Sequence, residues 1–263
     1  MPRLSANVSM LFSEAPFLDR FAAARGAGFR VVEAHFPYEV PVDALVATLD
    51  ATGLGLDLFN VPAGDFAAGE RGVAALPDRV DEFRAGVGRA VAYAEALGTR
   101  KLTCLAGLRQ QGVSWDAQYE CLVENLGWAA ATVAAHGITL HVEQLCQAEV
   151  PGFVIDTLGV AERVLDDVDA ANLLLQFDIY HVQRAQGDVA SQLRRLIGRI
   201  GHVQVADSPG RGEPGTGELN VGFLFAELDR LGYEGRVGLE YRPTRPTIES
   251  LSWIDAHGWS RDA

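Results

Sequence analysis

A regular alternation constrains this chain more than any single motif. Short β-branched or aliphatic runs at residues 4–10, 30–36, 55–61, 101–106, 139–145, 173–181, 201–206 and 236–242 are separated by longer amphipathic stretches from one end to the other. The helical stretches have recognisable ends. Val80, Phe83, Val87, Val91, Ala94 and Leu97 fall on one face before Gly98, which suits a helix terminus with positive φ. Asn220 is placed to cap a helix carrying Phe223, Leu224, Leu228 and Leu231 and closed by Gly232, and Ser13 to cap one carrying Phe17, Phe21 and Ala24. Eight such units in 263 residues have the size and rhythm of a (β/α)8 TIM barrel, with a doubly wound open sheet as the alternative. No Pro/Ser-rich linker interrupts the rhythm, so residues 1–263 read as a single barrel domain.

Connection lengths indicate which end of the barrel carries a site. Helix-to-strand links are short (98–100, 136–138, 232–235), whereas strand-to-helix links are long (62–77, 107–114, 207–220). In a barrel the long links all open on the C-terminal face of the strands.

Charge excludes some partners. The 22 basic against 35 acidic residues give a formal net charge of −13, which disfavours a polyanionic nucleic acid or an anionic membrane surface. No apolar run is long enough to span a bilayer and no signal-peptide pattern opens the chain, so a cytoplasmic location is expected. Cys104, Cys121 and Cys146 lack the spacing of a zinc knuckle and are expected to be reduced and mostly buried. The only lysine, Lys101, opens a strand at the far end of the barrel, so a Schiff-base mechanism has no nucleophile at the expected site. No nucleophile elbow, zinc-protease helix or dinucleotide fingerprint is present. Homo-oligomerisation is left open.

Four consecutive strand-like runs carry a polar side chain near their C-terminal ends: Glu143, Asp178, Gln204 and Glu240. Their spacings of 35, 26 and 36 residues are each about one βα unit. Successive barrel strands are neighbours, so the four side chains converge on half of the barrel mouth. Three carboxylates brought together away from water repel and call for a cation. Oxygen donors of this kind favour Mg2+ or Mn2+ over zinc. His181 is read at the end of the same strand as Asp178, within reach of a substrate oxygen, with a carbonyl-satisfied capping histidine as the alternative. His141 and His202, two residues before Glu143 and Gln204, point into the same interior one layer deeper. The Gly/Pro-rich 207–220 segment reads as a shaped substrate lid in which Arg211 and Glu213 are candidates for holding a small acid, a solvated turn being the alternative; Glu70 and Arg71 in the 62–77 loop are a weaker pair of the same kind. Arg242 is expected to pair with a carboxylate.

The segments Ser5-Ala-Asn-Val-Ser-Met-Leu-Phe12, Phe36-Pro-Tyr38, Leu58-Phe-Asn60, Ala68-Gly-Glu-Arg-Gly72, Ala75-Leu-Pro77, Asp207-Ser-Pro-Gly-Arg211, Glu213-Pro-Gly-Thr-Gly-Glu218 and Glu240-Tyr-Arg-Pro243 resemble the hydroxypyruvate isomerase family of the xylose-isomerase-like barrel superfamily. The resemblance covers nearly the whole chain. It implies that Glu143, Asp178, Gln204 and Glu240 hold a divalent metal, Mg2+ or Mn2+, with Glu143 and Glu240 as the proton-transfer pair. It also implies that His181 contacts the substrate, a small 2-oxo or hydroxy acid; Arg211, Glu213, Asn60 and Glu70 are the further candidates for facing it. The implied reaction interconverts hydroxypyruvate and tartronate semialdehyde through an enediolate. A 2-oxo-tetronate isomerase, a ketose 3-epimerase and a non-catalytic ligand-binding barrel are the alternatives. The chain departs from the family's pattern at Gly212, where a histidine is frequent, and at His35, where a more apolar residue is frequent.

Overall fold

In a computed structural model, which describes residues 3–261, the chain forms a parallel barrel wrapped by helices. The strands are β1 (Arg3–Asn7), β2 (Val31–Glu33), β3 (Gly55–Leu56), β4 (Leu58–Asn60), β5 (Lys101–Cys104), β6 (Thr139–Glu143), β7 (Leu173–Asp178), β8 (Ile200–Val205) and β9 (Arg236–Leu239). The eight runs become nine strands because the third divides at Asp57. Its first half pairs with β2 and its second with β5, giving the order β3-β2-β1-β9-β8-β7-β6-β5-β4. Backbone bonds from Asp57 N to Val32 O (2.9 Å), Ala34 N to Leu58 O (3.1 Å) and Asn60 N to His35 O (2.8 Å) bridge the join and close the barrel. The open-sheet alternative is therefore overturned.

The principal helices are α1 (Asp19–Gly26), α2 (Val42–Thr52), α3 (Val80–Leu97), α4 (Trp115–Ala134), α5 (Leu158–Val168), α6 (Ile179–Ala185), α7 (Val189–Leu196) and α8 (Val221–Arg230), followed by the short α9 (Thr247–Ser250) and α10 (Ser252–Ala256). The face foreseen for α3 is largely the buried one, formed by Phe83, Val87, Ala90, Val91 and Ala94, and Gly98 takes up φ 70°. Asn220 caps α8 by accepting from Phe223 N at 3.0 Å, but Phe223 itself is exposed and Phe225 takes its place in the core. Ser13 caps nothing. Residues 8–15 form tight turns in which Phe12 has φ 59°, and α1 begins only at Asp19.

Side chains alternate along the strands as the pleat requires. Leu102, Val142, Phe177, Val203 and Leu239 belong to the hydrophobic core. The opposite positions, Ser5, Asn7, Glu33, Thr103, His141, Gln176, His202 and Gln204, are buried and mostly polar. Barrel interiors are more often filled with branched aliphatic residues. This one is lined with groups that must find partners, and that requirement positions the site.

Candidate active site

Glu143 and Asp178 end β6 and β7, and Glu240 follows β9 by one residue. Each is at most 5% exposed. Together with His35, Phe36, Asn60, Phe66, Arg71, Leu105, His181 and Arg211, Glu143 and Glu240 line a cavity that opens on the C-terminal face. Asp178 caps α6 through Oδ1, which accepts from Tyr180 N at 2.8 Å, and its Oδ2 lies 3.6 Å from Arg211 Nη2 and 3.7 Å from His181 Nε2. Glu240 uses both oxygens: Oε1 accepts from His35 Nε2 at 2.5 Å and Oε2 from Arg211 Nη2 at 2.6 Å.

These surroundings separate the carboxylates electrically. Burial, reinforced by Glu240 and Asp178, holds the Glu143 carboxyl well above its ordinary range. Burial also pushes Asp178 up, to about 7, against the pull of Arg211. At Glu240 burial acts the same way but is outweighed by Arg211 and His35, which hold that group below the usual carboxylate range. The site is thus a set of acids with unequal proton affinity around the Arg211 guanidinium.

Among the described residues, four buried atoms at this site lack a hydrogen-bond partner: Arg211 Nε and, on the acids and the imidazole, Glu143 Oε1, Asp178 Oδ2 and His181 Nε2. Ligand atoms of Glu143, Asp178 and His181 lie within 4.8 Å of one another, so a divalent cation fits the spacing and the charge. The imidazole has a different part. Burial, then Arg211, holds His181 well below the usual histidine range, and its Nδ1 accepts from Cys146 N at 3.2 Å. A neutral ring that accepts at Nδ1 carries its proton on Nε2. His181 therefore presents an N–H donor to the cavity, suited to an oxygen of a bound molecule, while the oxygens of Glu143 and Asp178 suit the cation.

A family model described as xylose isomerase-like TIM barrel matches residues 21–257. The chain belongs to this family. Relatives include hydroxypyruvate isomerase of Escherichia coli (strain K12), 44% identical with 98% of this chain and 100% of that one covered, and 2-oxo-tetronate isomerase of Cupriavidus necator, 46% identical with 97% and 98% covered. Among solved structures, one titled AP endonuclease, family 2 from Brucella melitensis superposes with a TM-score of 0.94 at 42% identity, covering 97% of this chain and 99% of that one.

Within this xylose isomerase-like barrel, the residues singled out from sequence fall into three groups. Glu143, Asp178, Glu240, Asn60, His181 and Arg211 come together around the cavity. Gln204 lies buried beside it, its Oε1 accepting from Gln176 Nε2 at 2.6 Å. Glu213 and Glu70 are committed elsewhere. Glu213 accepts from Thr244 N (2.9 Å), Thr244 Oγ1 (2.8 Å) and Arg245 Nε (3.1 Å), and Glu70 pairs with Arg79 and accepts from Asp65 N at 2.5 Å. His181 sits in the first turn of α6 and not at a strand end, because Asp178 stops the strand by capping that helix.

The 207–220 segment differs from a free lid. Asp207 accepts from Ser208 N (2.9 Å), Gly215 N (2.8 Å), Gly217 N (3.0 Å) and Leu219 N (3.1 Å), so the loop is tied to one carboxylate. Arg211 is held within it at φ 56°, a left-handed conformation that side chains seldom adopt, its carbonyl accepting from Arg242 N at 2.7 Å. Glu149 lies behind it, 3.6 Å from Arg211 Nη1, accepts from Tyr180 Oη at 3.1 Å and is the carboxylate partner of Arg242. Sequence reasoning missed Glu149 and Glu33. Glu33 carried the same signal as the others, a carboxylate at the end of an apolar strand.

Proposed function

We propose that this isomerase interconverts hydroxypyruvate and tartronate semialdehyde, with Mg2+ or Mn2+ held by Glu143, Asp178, Gln204 and Glu240. The observation that carries the reading is the set of unpartnered buried atoms on Glu143, Asp178 and His181, collected at one cavity on the C-terminal face. A divalent metal supplies Lewis acidity to the carbonyl and hydroxyl oxygens of a bound 2-oxo acid.

The side chains account for binding and proton movement. Arg211 offers its guanidinium fork to the substrate carboxylate, and Nε2–H of His181 donates to a substrate oxygen. The chemistry requires a proton to leave C3 of hydroxypyruvate and another to arrive at C2, while the hydroxyl proton on O3 passes to O2 through an enediolate. Glu143 and Glu240 are the proton-transfer pair, one taking the proton from C3 and the other delivering one to C2. Phe36, Phe66 and Leu105 line the same cavity and limit the water that competes for the intermediate.

Isomerisation in D2O tests the proton pathway. Solvent deuterium is expected on C2 of the product. Product with no deuterium, formed at full rate, overturns Glu143 and Glu240 as a proton-transfer pair in favour of a direct hydride shift. Turnover of a four-carbon 2-oxo acid at higher kcat/KM than hydroxypyruvate moves the substrate to 2-oxo-tetronate while leaving the chemistry intact. The net charge of −13 weighs against duplex DNA as a substrate, and an abasic duplex incubated with the protein is expected to remain uncut.

A further inference from the structure

Below the mouth of the barrel runs a line of buried polar groups. Thr103 Oγ1 on β5 donates to Gln176 Oε1 (2.6 Å), Gln176 Nε2 on β7 donates to Gln204 Oε1 (2.6 Å), and Gln204 Nε2 on β8 donates to Glu33 Oε1 (2.7 Å) on β2. The line crosses the barrel from one wall to the other. It ends on a carboxylate that three further donors address: Ser5 Oγ at 3.1 Å, Asn7 Nδ2 at 3.2 Å and His202 Nε2 at 2.8 Å. Glu33 is fully buried. Room for it exists because residue 238 is glycine; a Cβ there would stand 2.3 Å from Glu33 Oε2 and 2.4 Å from Oε1.

An amide side chain has one accepting end and one donating end, and its direction is set by its partners. A carboxylate only accepts, so Glu33 draws the NH2 end of Gln204 toward β2. The oxygen end is thereby left toward β7, the strand that carries Asp178, with one lone pair on Gln176 and the other uncommitted. A flipped amide would set N–H against the N–H of Gln176 and oxygen against the Glu33 carboxylate, which is two repulsions in a dry interior.

We propose that Glu33 is a positioning residue: it fixes the amide of Gln204 oxygen-first, so that a neutral side chain serves as a cation ligand, and His202 locks the carboxylate that does so. Neither touches substrate. The inference rests on the metal reading of the site given above. Its consequence is that cation affinity is set partly from β2, a strand that contributes no ligand.

The test is Mn2+ binding to the metal-stripped full chain, followed by titration and by the electron paramagnetic resonance spectrum of the bound ion, with circular dichroism to verify the fold. Glu33→Gln presents an NH2 to donors already aimed at it and is expected to weaken Mn2+ binding about 10- to 100-fold. Gly238→Ala removes no polar group but displaces the carboxylate, and is expected to lower affinity in the same range and alter the same spectrum. Ser5→Ala deletes one donor to Glu33 without touching Gln204 and is expected to bind Mn2+ as the wild type does. At saturating Mn2+, KM for hydroxypyruvate in the first two variants is expected to stay within about twofold of wild type, a split that general loosening of the fold would not give. Wild-type affinity in a folded Glu33→Gln or Gly238→Ala protein overturns the inference alone. A wild-type chain that binds no Mn2+ overturns the metal reading, and this inference with it.

Discussion

Two clusters of the barrel interior, one around Glu33 and one at the mouth, treat their carboxylates in opposite ways. In the first, Glu33 collects four donors, and Thr103, Gln176 and Gln204 are bonded in line toward it, while His202 Nδ1 and both ring nitrogens of His141 stay unpartnered. In the second, Glu143 Oε1, Asp178 Oδ2 and His181 Nε2 have no partner. Leaving a buried polar atom unpaired costs roughly 1–3 kcal/mol, so the four-donor shell of Glu33 is what a stable fold would select and the free carboxylate oxygens of Glu143 and Asp178 are not. The contrast separates groups that build the barrel from groups kept free for a bound species. It also gives a rule for substitutions: changes to the unpartnered groups should cost activity and spare stability, and changes to the paired groups should cost stability or act through the ligand they orient.

The largest effect should come from removing the cation. Chelation, verified by elemental analysis, is expected to abolish turnover, and added Mn2+ or Mg2+ to restore it while the far-ultraviolet spectrum stays constant throughout. A metal-free protein with full activity would break the comparison, because the unpartnered atoms would then have no cation to serve.

Next come Glu143→Gln and Glu240→Gln, each expected to reduce kcat by roughly a hundredfold or more as the basic lone pair is lost. The two should part company in stability. Glu143→Gln relieves a carboxyl crowded by Glu240 and Asp178 and should leave the apo melting temperature unchanged or raised, whereas Glu240→Gln deprives Arg211 and His35 of their partner and should lower it. Equal melting shifts would show that the carboxylates are not divided as described. Arg211→Ala should raise KM about 30-fold, corresponding to about 2 kcal/mol for a charge-assisted pair, with a smaller change in kcat.

The smallest effect is placed outside both clusters. Glu213 ties the 207–220 loop to Thr244 and Arg245, and although burial pushes its carboxyl up, the backbone and hydroxyl bonds of Thr244 prevail and hold it low. A depressed folded value means that the stabilisation is present above the unfolded value of about 4.3 and fades as pH falls through the folded one. Glu213→Gln should therefore cost about 1–3 kcal/mol in urea melts near pH 7 and converge on wild type in acid. A KM change with no loss of stability would return Glu213 to the substrate side.

The sequence was most informative where a residue contradicted its surroundings. A carboxylate inside an apolar strand is hard to explain by burial alone, and Glu143, Asp178 and Glu240 stood out for that reason. The signal at Glu33 is of the same kind but sits on β2, outside the run of four neighbouring strands that drew attention. His181 was placed on a strand because Ile179-Tyr-His-Val182 continues an apolar run; only the capping bond of Asp178 turns the chain into α6. Loop charges were the least legible. Arg211, Glu213 and Glu70 look alike in a Gly/Pro-rich segment, and what separates them is whether a partner stands nearby in space: Thr244 and Arg245 for one, Arg79 for another, the cavity acids for the third. Sequence spacing does not carry that information.

The division of the third run at Asp57 has a consequence for how the chain survives in a crowded solution. Leu173-Leu-Leu-Gln-Phe177 is an uncharged, apolar stretch of the kind that recruits identical chains when one flank of its ladder lies open. Here β6 and β8 occupy both flanks, and among the described residues the two terminal strands of the order are consecutive pieces of one segment, joined through a single residue and bridged to β2 by backbone bonds. The join that makes the cylinder continuous is thus also the device that denies a second molecule any place to begin pairing.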